Sequence, residues 1–196
     1  MQEKVKRRAT YADLKAVPPH LVAEILNGRL VTHPRPAPPH GTSSTSLTDE
    51  LVGPFQKRKG GPGGWVFIGE PELHRGEDVA VPELAGWRRT RMTQMPTTAF
   101  IALAPDWICE VISPSTEDYD RGEKSEIYAR AGIPHFWIID PLIKKLEVHE
   151  LRDGRWLLLQ TVSQHQTVVA PPFDAVSFSL GMLWPFDDPL GQQSET

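Results

Sequence analysis

Cysteine is nearly absent from the 196-residue chain, because Cys109 is the only one. A single thiol can form neither an intramolecular disulfide nor a thiolate zinc cluster, so neither device holds the fold together. The chain length and a hydrophobic content of 39% are typical of one globular domain with its own core. We expect a single domain over residues 1–186, followed by a flexible tail over 187–196.

Long apolar runs are missing as well. No segment approaches the roughly 18 apolar residues of a membrane-spanning helix. The charged start at Met1–Arg8 lacks the apolar stretch of a secretory signal. We therefore expect a cytoplasmic protein with no membrane contact.

Charge of one sign is not in large excess. The 21 basic and 25 acidic side chains sum to −4, which excludes a polycationic protein that binds nucleic acid through its net charge. Any nucleic-acid contact must be local. Two basic clusters, Lys57–Lys59 and Arg88–Arg91, could touch phosphates, and ordinary solvated charge is the alternative for each.

Several catalytic signatures are absent. The glycine-rich segment 60–64 lacks the Gly-Lys-Ser/Thr of a phosphate-binding loop, and no Gly-x-Ser-x-Gly motif is present. His33 and His40 flank a proline-rich linker without a His or Cys partner at metal-binding spacing, so we interpret both as surface or loop-packing residues. No repeat of 20–50 residues indicates a solenoid or propeller.

The hydrophobic pattern predicts an α/β (α+β) domain with a mixed, mostly antiparallel sheet flanked by helices. Asn27-Gly28 predicts a type I′ turn in an N-terminal hairpin. A strand over 106–112, a helix over 118–131 and a strand over 135–139 predict a βαβ crossover. Further strands are expected at 65–68, 72–74, 79–81, 145–151 and 156–162, and further helices at 11–17 and about 40–59.

Glu110 interrupts the most apolar of these strands. Alternation places Trp107, Cys109 and Val111 on one side and Glu110 on the other, between Ile108 and Ile112. An unpaired, ionised carboxylate buried there would cost several kcal/mol. Glu110 is therefore either paired with a cation or part of a functional site.

Other candidates could join Glu110. Glu24 lies on an apolar strand of the hairpin, and Pro82-Glu83 ends another strand, so we expect three carboxylates to converge from three strands. Such oxygen-rich sites suit Mg²⁺ or Mn²⁺. Lys124 could reach back over the Glu110 strand from the following helix, or simply pair with Asp120 on the helix surface.

Five segments resemble, in order, the bacterial Uma-type endonuclease family of the PD-(D/E)xK restriction-endonuclease-like superfamily. The similarity covers roughly Tyr11 to Leu151. The segments are Val22–Val31, Val81–Arg89, Ile108–Thr116, Asp120 to Lys124 to Tyr128, and Ala131–Pro141.

The resemblance implies a divalent metal held by strand-end carboxylates, hydrolysis of a phosphodiester bond by a metal-activated water, and a homodimer. We expect the substrate to be a nucleic acid, DNA in the first place, and the sequence leaves RNA open as the alternative. Glu110 matches the metal-binding acid of the Glu-x-Lys strand, Glu83 takes the acidic place of Pro-Asp, and Glu24 matches the acid of the first hairpin. Glu83, Glu110 and the carbonyl of Val111 would then hold the metal. Glu24, Glu83, Glu110 and Lys124 would form the catalytic set.

Two departures from the superfamily pattern stand out. Ile112 occupies the usual lysine position, so Lys124 on the following helix is the matching cation. Glu83 replaces Asp and lengthens the ligand by one methylene, and Asp78 could contribute in its place. Pro105-Asp106 does not match Pro-Asp, because Asp106 is on the same strand as Glu110.

Three hypotheses remain open at the level of sequence. The first is a Mg²⁺- or Mn²⁺-dependent nuclease. The second is a catalytically degenerate nuclease fold that serves as a binding or regulatory module. In the third, the carboxylates and Lys124 form a buried ion network that contributes only to fold specificity.

Overall fold

A six-stranded sheet forms the centre of the protein, for which a computed structural model describes residues 7–35 and 37–187. Neighbouring strands are antiparallel except for one parallel pair, Trp107–Val111 beside His135–Asp140. This pair confirms the predicted βαβ crossover and the mixed, mostly antiparallel sheet. In spatial order the strands are β10 (Arg155–Ser163), β9 (Lys145–Arg152), β8 (His135–Asp140), β7 (Trp107–Val111), β6 (Leu84–Arg88) and β3 (Trp65–Gly69).

A smaller antiparallel sheet contains the N-terminal hairpin. Asn27 and Gly28 have φ angles of 51° and 76°, as the predicted type I′ turn requires. In spatial order its strands are β2 (Arg29–Pro34), β1 (Leu21–Leu26), β5 (Asp78–Ala80) and β4 (Leu73–Arg75).

The helices are short and two contain π-helical turns. The predicted helix over 118–131 consists of α3 (Glu117–Tyr119), a π-helical turn (Asp120–Lys124) and α4 (Ser125–Arg130). Such widened turns are frequent at functional sites. The remaining elements are α1 (Tyr11–Lys15), α2 (Pro38–Leu51) with its π-helical extension Val52–Gln56, the strand pair β11 (Thr167–Val168) and β12 (Phe178–Ser179), and a 3₁₀ helix (Leu180–Leu183).

The two faces of the large sheet bury separate hydrophobic clusters. Trp107, Cys109 and Val111 pack with α2 and the C-terminal segment. Ile108 packs with α4 and the small sheet on the opposite face, in the cluster that also contains Ile112. The predicted alternation along β7 is therefore confirmed, and Glu110 is on the Ile108 face.

One strand of the central sheet, β6, was missed from the sequence, as was the two-residue strand β11. β6 pairs with both β3 and β7, so Glu83 precedes a strand and does not end one, since β5 already stops at Ala80. Of the predicted tail, only Asp187 is described, and it pairs with Lys144. The rest of the tail lies outside the described residues. Among residues 7–35 and 37–187, no helix has the length and apolar character needed to span a bilayer.

Candidate active site

The ammonium group of Lys124 lies among three carboxylates. Its Nζ is 2.9 Å from Glu110 Oε1, 3.1 Å from Asp120 Oδ1 and 3.2 Å from Glu24 Oε1. It also donates to the carbonyl of Val81 at 3.1 Å. The four charged side chains are 1–3% exposed. The structure thus brings Glu24, Glu110 and Lys124 together, and the Asp120–Lys124 pair is buried in this cluster and not on a helix surface.

Helix geometry explains how one element supplies three of these contacts. Asp120, Lys124 and Tyr128 follow one another at intervals of four residues, which places them on one face of the helix. The Tyr128 hydroxyl donates to Glu110 Oε1 at 2.5 Å. Ile112, which the sequence resemblance placed where a lysine is expected, is 2% exposed and packs in the core.

Both oxygens of Glu24 are committed to protein groups. Oε1 accepts from the backbone N–H of Val81 at 2.7 Å and contacts Lys124, while Oε2 lies 3.3 Å from His33 Nε2. Burial alone would raise the pKa of Glu24, but Lys124, His33 and the Val81 amide outweigh it and hold the pKa below its usual value. Glu24 is therefore an ionised partner that fixes Lys124 in place.

Glu83 and Glu110 line the same cavity. The backbone N–H of Glu83 donates to Glu110 Oε2 at 3.3 Å, which joins the start of β6 to β7. Val111 also lines the cavity, together with Glu70 and Asp120. The volume of this cavity is about 40 Å³, which exceeds the roughly 10–15 Å³ that one water molecule needs.

Both histidines of the linker region line this cavity as well, so their interpretation as surface or loop-packing residues was wrong. His40 is 8% exposed, and its Nε2 lies 3.4 Å from Glu83 Oε2. His33 contacts Glu24. The start of α2 carries His40 over β6, a tertiary contact that no local spacing indicates.

The cluster carries more negative than positive charge. One ammonium faces three carboxylates, and like charges that share a site favour protonation of one of them. Burial, reinforced by Asp120 and Glu24 and opposed by Lys124, raises the pKa of Glu110 to about 8. Burial also raises the pKa of Glu83. Burial by itself would lower the pKa of Lys124, but the surrounding carboxylates raise it well above its usual value, so Lys124 stays charged.

The donor set fits a hard divalent cation. Within the described residues, no three His, Cys, Asp or Glu side chains form a complete metal-binding cluster. Magnesium needs no such cage, because it is commonly held by one or two carboxylates, retained waters and the phosphate of a substrate. Glu83 and Glu110 bring two carboxyl groups to the lining of the cavity, and Val111 lines it beside them.

Two other acids lie elsewhere. Asp78 accepts from the backbone of Asn27 and pairs with Arg130 outside this cavity, so its proposed role as a substitute ligand was wrong. Asp106 accepts from the backbone N–H of Arg88 and from Arg91, each at 2.8 Å. It is a structural acid at the opposite end of β7.

The sequence profile of a known family matches most of the chain, including every residue of the candidate site described above. The profile of Uma2, described as "Putative restriction endonuclease", matches residues 8–182. The chain belongs to the Uma2 family. The matched residues include the hairpin acid Glu24, the two cavity carboxylates Glu83 and Glu110, and Lys124.

A solved structure shares the fold. It is the crystal structure of a "putative nuclease belonging to DUF820" from Anabaena variabilis, with 19% sequence identity and a TM-score of 0.67. The alignment covers 91% of this chain and 98% of that one. No curated protein matches this chain.

Proposed function

We propose that this Uma2 protein is a Mg²⁺- or Mn²⁺-dependent nuclease that hydrolyses phosphodiester bonds. The observation that carries the proposal is the presence of Glu83 and Glu110 in one cavity, with the Lys124 ammonium 2.9 Å from Glu110. Two acids and a lysine from distant parts of the chain thereby meet where a cation and a phosphate could bind.

Glu83, Glu110 and the Val111 carbonyl would hold the divalent ion. When bound, such an ion lowers the pKa of a water molecule and neutralises charge that develops on the phosphate. Burial raises the pKa of both carboxyl groups, that of Glu110 to about 8, so the cation would compete with protons for these carboxylates and bind more tightly as pH rises.

Lys124 would stabilise the negative charge of the reacting phosphate or orient the attacking water. Its partners Glu24 and Asp120 hold the ammonium beside Glu110 before substrate arrives. This preorganisation matters because a donor fixed in a water-poor site stabilises charge more strongly than the same donor in water. Glu24 contributes through Lys124, since its Oε1 lies 3.2 Å from the Lys124 ammonium and Glu24 is not among the described residues that line the cavity.

We infer that DNA is the substrate, that the working form is a cytoplasmic homodimer, and that residues 1–186 act as one domain. The family description as a restriction endonuclease supports DNA. Light scattering of the purified protein tests the dimer, and competition between DNA and RNA duplexes in the cleavage assay tests the substrate.

The cleavage test compares two matched substitutions. Wild-type protein should cut DNA with Mn²⁺ or Mg²⁺ and should stop when EDTA is added. Glu110→Gln should lose activity by at least about 10³-fold, because it removes a ligand. Glu147→Gln changes an acid of β9 whose side chain is 13% exposed and pairs with Arg121, and it should keep activity within about threefold. Equal activity in both variants would refute the proposed site.

A second candidate function rests on the same cluster. The Lys124 ammonium already engages three carboxylates of the protein, and a lysine whose partners are supplied by the protein itself suits a catalytically degenerate binding or regulatory module. Such a module would bind nucleic acid without cleaving it in any divalent ion. Cleavage that Glu110→Gln abolishes excludes this candidate.

A further inference from the structure

The two basic clusters meet at one edge of the large sheet. Trp65 and Arg88 are cross-strand partners at the start of β3 and the end of β6. The backbone N–H of Arg89 donates to the carbonyl of Gly64 at 2.9 Å. These contacts place the loop after α2 beside the loop after β6. We call the resulting surface the basic rim, made of Lys57, Arg58, Lys59, Arg88, Arg89 and Arg91.

The basic rim is rich in uncompensated charge. Neither residues 51–69 nor residues 84–105 contain an acidic side chain. All six cations are exposed. Arg91 pairs with Asp106, while the other five make no salt bridge with any described residue. Since the whole chain has a net charge of −4, this local excess is where a polyanion would be attracted.

Local packing fixes part of the surface. The Arg88 guanidinium lies 4.6 Å from the centre of the Trp65 ring. The Arg58 side chain passes over Gly63, where a Cβ would come within 2.4 Å of it, so glycine is needed at that position. Gly60 and Gly64 have open space where a side chain would stand, which allows a phosphate backbone to approach the loop closely.

The basic rim and the cavity lie at the two ends of β6. Glu83 directly precedes this strand and Arg88 ends it. Five residues of strand at about 3.3 Å each separate them by roughly 17 Å along the strand. A duplex lying parallel to β6 rises about 3.4 Å per base pair, so it would span this separation with roughly five base pairs.

We propose that the basic rim binds the phosphate backbone of a DNA duplex about five base pairs from the cavity that holds Glu83 and Glu110. The contact positions the duplex without reading its sequence, because exposed Lys and Arg side chains meet phosphates and not base edges. This inference rests on the proposed function for the nature of the substrate. It adds a second site of contact on the same molecule.

The test measures binding separately from cleavage. Fluorescence anisotropy with a 20-base-pair DNA duplex in EDTA gives affinity as a function of salt, whether or not the protein cuts DNA. The rim variant Lys57→Ala/Lys59→Ala/Arg89→Ala removes three exposed cations and leaves the packed Arg58 and Arg88 in place. The control Lys15→Ala/Arg152→Ala/Arg155→Ala removes three exposed cations elsewhere.

Each phosphate contact contributes about 0.9 to the slope of log affinity against log salt. The rim variant should therefore show a slope shallower by about 2.7 and at least about tenfold weaker binding at low salt. The control should match the wild type, and all three proteins should share one melting temperature. An unchanged slope in the rim variant, an equal loss in the control, or no binding by the wild type would overturn the inference. If the wild type does not cleave DNA but its salt slope is still steeper than that of the rim variant, only the proposed nuclease function is overturned.

Discussion

The two ends of β7 contain buried acids in opposite electrostatic situations. At the start, Asp106 is matched by the Arg91 guanidinium and the backbone N–H of Arg88. At the other end, Glu110 shares the Lys124 ammonium with Glu24 and Asp120. The charge of Asp106 is balanced by one cation and one backbone donor, which is typical of a structural acid. Glu110 belongs to a cluster with surplus negative charge beside a cavity, which indicates a place for a further cation.

Removal of Lys124 should cause the largest loss of stability and a large loss of cleavage. Lys124→Met leaves three buried carboxylates without their cation, so we expect the free energy of unfolding to fall by about 3–5 kcal/mol. Cleavage should fall by at least about 10²-fold. Urea denaturation and a cleavage assay below the transition measure the two effects.

Arg91→Met is the matched change at the start of β7. The Arg91 side chain is 43% exposed, and exposed pairs are worth about 0–1 kcal/mol. We therefore expect a loss of stability within that range and little change in cleavage. Similar losses from Arg91→Met and Lys124→Met would erase the distinction between the two ends.

Joint replacement of Glu110 and Lys124 examines whether these two residues form a closed pair. If they did, Glu110→Leu/Lys124→Met would be as stable as the wild type or more stable. Glu24 and Asp120 also contact Lys124, so we expect the double variant to remain about 2–4 kcal/mol less stable. Recovery of wild-type stability in urea denaturation would support a simple ion pair in place of the cluster.

The pH dependence of stability separates Glu110 from the other acids. Burial raises the pKa of Glu110 to about 8, above its value in an unfolded chain, about 4.3. The folded state therefore binds the proton more tightly, and the stability that this provides is present below pH 4 and is lost as pH rises to 8.

Glu110→Gln removes this titrating group. In EDTA, the unfolding free energy of the wild type should decline relative to that of Glu110→Gln between pH 5 and pH 8. Chemical denaturation of both proteins at several pH values measures the difference. Parallel pH profiles would show that Glu110 is ionised throughout this range.

Shortening Glu83 should have the smallest effect among the changes made in the cavity. Glu83→Asp introduces the acid that the sequence resemblance leads us to expect, but it withdraws the carboxylate from His40, which lies 3.4 Å away. Because a carboxylate remains at the cavity, we expect cleavage to change by no more than about tenfold. A loss as large as that of Glu110→Gln would show that the length of Glu83 is essential to the site.

Local patterns predicted the elements whose signals are confined to neighbouring residues. Alternation revealed the two faces of β7, and Asn27-Gly28 revealed the hairpin turn. β6 was missed because Pro82 and Gly86 suggest a break. Gly86 is required there for a tertiary reason, since a Cβ would lie 3.1 Å from the Phe67 ring and 3.2 Å from Trp107.

The active-site candidates came from sequence only in part. The family resemblance pointed to Glu83, Glu110 and Lys124, and the spacing of Asp120, Lys124 and Tyr128 contained the signal for a shared helix face. His40 and Glu70 were missed because they reach the cavity through contacts between distant segments. The meeting of the two basic clusters was likewise invisible, since it depends on the pairing of β3 with β6.

Calorimetric titration of the metal-free protein with Mn²⁺ tests the central claim most directly. We predict that the wild type binds Mn²⁺ in the cavity that contains Glu83 and Glu110, that Glu110→Gln abolishes this binding, and that Glu147→Gln preserves it. Absence of Mn²⁺ binding by the wild type, or undiminished binding by Glu110→Gln, would contradict the claim that surplus carboxylate charge at the end of β7 forms a cation site.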